Sequence, residues 1–215
     1  MKKMIFTLVV FINLCVITSS YSMGPKEHLR LYIDKAISVF NEYDIEKNST
    51  EYNRAFECRL VNLADEIFAF NIMSRMVLGY NWNKFSKKQQ HEFVCLFVGL
   101  LADHYFDKIL EHINDVKNYN KENIEILEEK FFTPTKAEVD TKIKYQDKVT
   151  PVNYRFLYYQ NKWQIYDVII EGVSLIKNYR SQFKELFMKQ TPEEILKDLR
   201  EKVKDISCLK NCNIN

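Results

Sequence analysis

The sequence predicts an α+β fold: several N-terminal helices, a four-stranded antiparallel sheet, then C-terminal helices. Three observations carry that expectation. Apolar residues recur at helical spacing through the first half of the chain, the period falls to two beyond Asn120, and helical spacing returns after Gly172.

Leu29, Ile33, Ala36, Ile37 and Phe40 share one face of a first helix, expected over residues 28–43. The polar break Lys47-Asn48-Ser49-Thr50 separates it from a second helix marked by Phe56, Leu60, Leu63, Ala64 and Ile67. A short helix around residues 73–78 stops at Gly79, a residue that tolerates the left-handed conformation of a helix end. The fourth helix is the best marked. Ser86 stands three residues before Gln89 in a capping box, Phe93, Phe97, Leu100, Leu101 and Tyr105 line one face, and the pattern runs to about residue 113.

A first strand is expected over residues 124–131. In the next, Val139, Thr141, Ile143 and Tyr145 alternate with Asp140, Lys142 and Lys144, which gives one buried and one wet face. Residues 152–159 and 163–171 flank Gln160-Asn161, a hairpin turn signal. A two-residue turn there pairs Tyr158 with Trp163, Phe156 with Ile165, Tyr154 with Asp167 and Val152 with Ile169, and so makes one face almost wholly apolar. A helix is expected over residues 173–189. The last opens with Thr191-Pro192-Glu193-Glu194, in which Thr191 caps, Pro192 fills the first turn and Glu194 completes the box.

Ahead of these elements, Lys2 and Lys3 precede an apolar run over residues 4–18 and the small polar residues Ser19, Ser20 and Ser22, the layout of a secretory signal cut before Met23. The run is shorter than the roughly 20 residues a spanning helix needs, so export is favoured over a retained anchor. Residues 1–22 are read as the signal, 23–206 as a single domain and 207–215 as a tail. Cleavage removes two of the 31 basic side chains and none of the 29 acidic ones, which brings the formal charge from +2 to zero. No basic block exists to displace counterions from nucleic acid or to hold an anionic membrane.

Cys15 falls inside the signal core, without the small residues that precede a lipid-attachment cysteine. Cys58 and Cys95 read as buried thiols on helix faces. Cys208 and Cys212 could close a small loop in the tail; their spacing also suits half a metal site, but no histidine lies near and no metal is expected.

Two blocks resemble the MlaC phospholipid-binding family, also described as toluene-tolerance auxiliary transport proteins. One is Phe70-Asn71-Ile72-Met73-Ser74-Arg75-Met76-Val77-Leu78-Gly79-Tyr80-Asn81-Trp82 with Ser86-Lys87-Lys88-Gln89-Gln90-His91-Glu92-Phe93. The other combines Pro151-Val152-Asn153-Tyr154-Arg155-Phe156, Trp163-Gln164-Ile165-Tyr166-Asp167-Val168-Ile169-Ile170-Glu171-Gly172-Val173-Ser174-Leu175 and Asn178-Tyr179-Arg180-Ser181-Gln182-Phe183. The resemblance implies a monomeric, non-enzymatic periplasmic carrier on an NTF2-like-related cone, with no cofactor and with phospholipid as cargo. It implies exchange with an inner-membrane ABC transporter complex and an outer-membrane lipoprotein complex. The acyl chains would lie in an apolar cavity between sheet and helices.

The wall of that cavity is then expected from Phe93, Phe97, Leu100, Leu101 and Tyr105 on the long helix and from Val139, Ile143, Val152, Tyr154 and Phe156 on the sheet. Ile165, Ile169, Val173 and Ile176 would complete it. Arg75, Arg155 and Arg180 are candidates for a phosphate at the mouth. Asp167, a carboxylate on the apolar face, needs a donor, from Tyr154 or from amides opening the following helix, or else serves near the head group. Two rivals stand beside the carrier: an NTF2-like enzyme using His104, Asp167 and Tyr154, and a structural envelope adaptor with a filled core.

Overall fold

In the computed structural model, which describes residues 23–47, 49–111, 113–114, 121–203, 208 and 212, every helix but the third starts at a capping residue or an N-terminal proline. The signal over residues 1–22 and most of the tail lie outside the described residues. Pro25 opens α1 (Pro25–Asn41), and Ser49 caps α2 (Thr50–Ile67) by accepting from the Tyr52 amide. The third helix, α3 (Phe70–Leu78), ends at Gly79 with φ +55°. Gln89 and Ser86 exchange backbone-to-side-chain bonds of 2.9 and 3.3 Å ahead of α4 (Lys87–Glu111). After the sheet, Ser174 caps α5 (Leu175–Leu186), and the Thr191–Glu194 box opens α6 (Pro192–Lys202).

The sheet is an antiparallel meander of five strands: β1 (Ile124–Thr133), β2 (Lys136–Tyr145), β3 (Lys148–Tyr159), β4 (Lys162–Ile170) and β5 (Val173–Ser174). The fifth strand corrects the expected four. Glu171 and Gly172, with φ of +50° and +82°, fold the chain straight back so that Val173 pairs with Ile170, and the helix begins two residues later than expected. Gln160 and Asn161 both take positive φ, as a two-residue hairpin of the mirror-image type requires.

From that turn the β3–β4 register runs as expected through Tyr158–Trp163 and Phe156–Ile165, then slips at a β-bulge. Tyr166 is the inserted residue. Asp167 therefore lies opposite Arg155, Tyr154 opposite Val168, and Val152 opposite Ile170, rather than the pairs expected from a regular ladder. One extra residue reverses the inside-outside phase of everything beyond it, so Asp167 and Ile169 turn to the face opposite Phe156 and Ile165.

Three apolar clusters hold the molecule together. Leu29 and Tyr32 of α1 and Ile67 of α2 cover Ala137, Val139, Phe156, Trp163 and Ile165 on one sheet face, where the Tyr32 hydroxyl donates to the Trp163 carbonyl at 2.6 Å. A second cluster joins α3, α4, α5 and α6. Phe93 and Phe97 sit fully buried in it, with the Phe93 ring centroid 5.1 Å from Phe183 and that of Phe97 5.3 Å from Tyr179. A third is built on Tyr43, Phe56 and Ile113. The long helix α4 is thus buried on several sides rather than laid by one face on the sheet.

The cysteines pair across the fold: Cys58 of α2 with Cys208, and Cys95 of α4 with Cys212. This replaces both the buried thiols and the Cys208/Cys212 loop expected from the sequence. The tail cysteines tie the end of the chain to two helices. No helix among the described residues is long and apolar enough to cross a membrane.

Candidate functional site

Where the three clusters meet, the side chains do not fill the space between α1, α2 and α4. On α2, Leu60, Leu63, Ala64 and Ile67 repeat at i, i+3, i+4 and i+7 and present one apolar stripe. On α4, Val98, Leu101, Ala102, Tyr105 and Ile109 do the same. Ala36 of α1, Ala64 and Ala102 put methyl groups where larger residues would close the gap, and Phe70 and Met73 of α3 form the floor. The result is a cavity of about 330 Å³, at the lower end of the ~300–1,000 Å³ typical of ligand pockets.

Glu57 is the one charged residue in that lining, and Arg54 holds its carboxylate at 2.7 Å. A wall of this kind offers hydrocarbon a surface without hydrogen-bonding demands and gives a polar ligand almost nothing to bond.

Of the residues expected to form the wall, Leu101 and Tyr105 line this cavity. Phe93, Phe97 and Ile176 are locked in the α3–α6 cluster, and half-buried Leu100 packs against it. Val139, Phe156 and Ile165 are covered by α1 and α2, with Tyr154 beside them, while Val152 is buried and Ile143 half-buried on the sheet. Ile169 faces the other side. Val173 is 63% exposed on β5 and cannot form a wall. Three features account for these positions: α1 and α2 cover the Phe156 and Ile165 face of the sheet, the bulge at Tyr166 turns Ile169 to the other face, and β5 leaves Val173 at the surface.

The lining residues that the sequence did not single out as wall include Ala36, Phe40, Leu60, Ala64, Ile67 and Ala102. Their periodicity was legible. The further signal was alanine recurring on three faces that converge, although nothing in one sequence says that those faces converge.

A second, separate cleft of about 590 Å³ lies across α3, between its far face, α5 and the sheet. Arg75, Arg180 and Lys136 line it together with Trp82, Tyr166 and Leu157. Two of the three candidate arginines are therefore brought together, away from the apolar cavity. The third, Arg155, pairs instead with Glu138 at 2.8 Å and Asp167 at 3.6 Å.

Asp167 is 2% exposed and fully engaged. The Ser174 hydroxyl donates to it at 2.7 Å and the Ile176 amide at 3.1 Å, so it fastens the start of α5 to β4. Tyr154 faces the opposite side of the sheet, where burial pushes its phenol up to about 12. His104 stands exposed on α4, 3.3 Å from the Lys108 ammonium. The three groups proposed for acid-base chemistry thus point to three different places and share no pocket.

Residues 32–201 match the family described as MlaC protein. Comparison with curated proteins gives no match. Among solved structures, the chain is similar to a phospholipid-binding protein from Ralstonia solanacearum in complex with a phospholipid. The TM-score is 0.70 at 17% identity, over 86% of this chain and 99% of that one. At that identity the likeness is one of fold.

Proposed function

The chain belongs to the MlaC family, and from that premise we propose that it is a phospholipid carrier that shelters acyl chains in the cavity between α1, α2 and α4. The observation that carries the reading is the lining: apolar except for the Tyr105 phenol and a single carboxylate that already has its cation. The fold shared with a phospholipid-binding protein supports the same cargo.

The energetics ask for such a site. Each methylene withdrawn from water gains about 0.8 kcal/mol, so two acyl tails crossing an aqueous gap need an apolar sleeve. Net affinity has to stay far below the gross sum, because a bilayer accepts the same tails equally well. Nothing in this task requires a nucleophile or a metal. In this conformation the cavity takes part of an acyl chain, so loading two tails requires α1, α2 and α4 to part.

The carrier is proposed to act in the periplasm after cleavage of the leader. There it would exchange cargo with an inner-membrane ABC transporter complex and an outer-membrane lipoprotein complex. Organic extraction of the purified protein followed by mass spectrometry is expected to release phospholipid, and the stripped protein is expected to take it up again from vesicles. No co-purified lipid together with no uptake would reject the carrier in favour of a structural adaptor. Fractionation of cells expressing the full chain is expected to find it, shortened by the leader, in the periplasmic fraction.

A further inference from the structure

The chain has seven arginines, all among the described residues, and five are committed to carboxylates: Arg30 to Glu27, Arg54 to Glu57, Arg59 to Glu42, Arg155 to Glu138 and Arg200 to Glu92. Arg75 and Arg180 have no carboxylate partner among the described residues. They are also the two that line the cleft beside α3, where Lys136, likewise without an acidic partner, joins them. In a chain whose arginines are otherwise neutralised in place, three unpaired cations around one concavity form a charge pattern that a ligand would complete.

We propose that this cleft is a binding site for a phosphate ester, distinct from the apolar cavity. One guanidinium fork saturates a carboxylate, whereas two forks and an ammonium call for the additional oxygens and charge of a phosphate. Trp82, Met76, Ile72 and Leu157 line the same cleft, so the anion it suits carries an organic group with an apolar or flat face rather than being a bare ion. The backbone helps to place the guanidinium. Gly79, at φ +55°, has no side chain, and a Cβ there would come within 3.0 Å of the Arg180 Nη2. Arg180 can therefore lie across the end of α3, where the last carbonyls favour a cation. That contact accounts for the resting position of Arg180 but leaves Arg75 and Lys136 unexplained.

The inference does not rest on lipid carriage. Phe70 and Met73 of α3 face the apolar cavity, while Ile72, Arg75 and Met76 face the cleft, so the two sites use opposite sides of one short helix. The phosphate ester has two possible sources, a lipid head group in a membrane surface or a free soluble ester, and the test separates them.

Trp82 lines the cleft, and the only other tryptophan, Trp163, is 5% exposed in the sheet core, so intrinsic fluorescence reports on the site. Phenyl phosphate titrated into the full chain is expected to change the Trp82 emission saturably, with W82F as the control. The R75Q/R180Q variant is expected to weaken binding about tenfold or more, and R30Q to leave it unchanged. All three substituted arginines are exposed, so folding is checked by circular dichroism, and K136Q alone, expected to weaken binding several-fold, serves if the double variant misfolds.

In a second arm, flotation is compared for vesicles of phosphatidylcholine alone and with phosphatidic acid. Retention on the phosphatidic acid vesicles that is lost in R75Q/R180Q assigns the membrane source, and binding of phenyl phosphate alone assigns the free ester. No saturable response at about 10 mM phenyl phosphate together with no vesicle preference overturns the proposal, as does equal affinity in the folded double variant.

Discussion

Asp167 owes its position to the inserted Tyr166: without the bulge its carboxylate would face α1 and α2, and with it the carboxylate reaches Ser174 and the Ile176 amide. Asp167→Ala is expected to strand those two donors, while Arg155 keeps Glu138, at a cost of about 2–4 kcal/mol in urea unfolding, and Asp167→Asn, which keeps an acceptor, costs less. Lipid uptake by the folded variants should be unchanged; loss of uptake without loss of stability would give Asp167 a direct role with cargo. Three tyrosines make a second prediction. Burial, the leading cause at each, raises the Tyr32, Tyr154 and Tyr179 phenols from 10.0 to about 12. Because the folded phenols keep protons that the unfolded chain releases near pH 10, stability is undiminished below that pH and falls as pH rises toward 12. Phenolate absorbance should therefore rise in two stages, the later one coinciding with loss of circular dichroism. The sequence offered two donors for the buried Asp167, Tyr154 and the amides opening the next helix; the Ile176 amide is the one that forms, and Tyr154 is excluded by a bulge, which leaves no mark in an alternating pattern that stays apolar on both sides.

Helices and strands were largely legible because their ends are written in local chemistry: the Ser86–Gln89 and Thr191–Glu194 boxes and the Gln160-Asn161 turn each form where the side chains require. What each helix packs against was not. Phe93 and Phe97 share a stripe that would suit a sheet equally well, and only the folded chain places Tyr179 and Phe183 there instead. The disulfides were illegible for a related reason, since four cysteines allow three pairings and sequence does not choose among them. Non-reducing proteolysis with mass spectrometry is expected to yield peptides joining Cys58 to Cys208 and Cys95 to Cys212. Replacing Cys95 and Cys212 together by Ser is expected to lower stability by about 2–5 kcal/mol. A Cys208–Cys212 peptide would refute the pairing.

Taken whole, the molecule is three packed clusters around one unfilled junction, and that junction is where a cavity-filling change should separate stability from function. Ala102→Phe adds a ring to the α4 wall without removing any polar contact. It is expected to hold or raise the melting temperature while reducing uptake of labelled phospholipid from vesicles several-fold, a combination that fits neither misfolding nor a solid core. Unchanged uptake would place the acyl chains elsewhere. The covalent ties of the tail also govern the order in which this architecture can be completed. Native pairs span 150 and 117 residues, whereas the tail's own cysteines are four positions apart, so loop closure in a freshly made, unfolded chain favours the wrong partners. The correct bonds must await helix docking or arise by thiol exchange from scrambled isomers, and a disulfide isomerase should accelerate recovery from the reduced, denatured state.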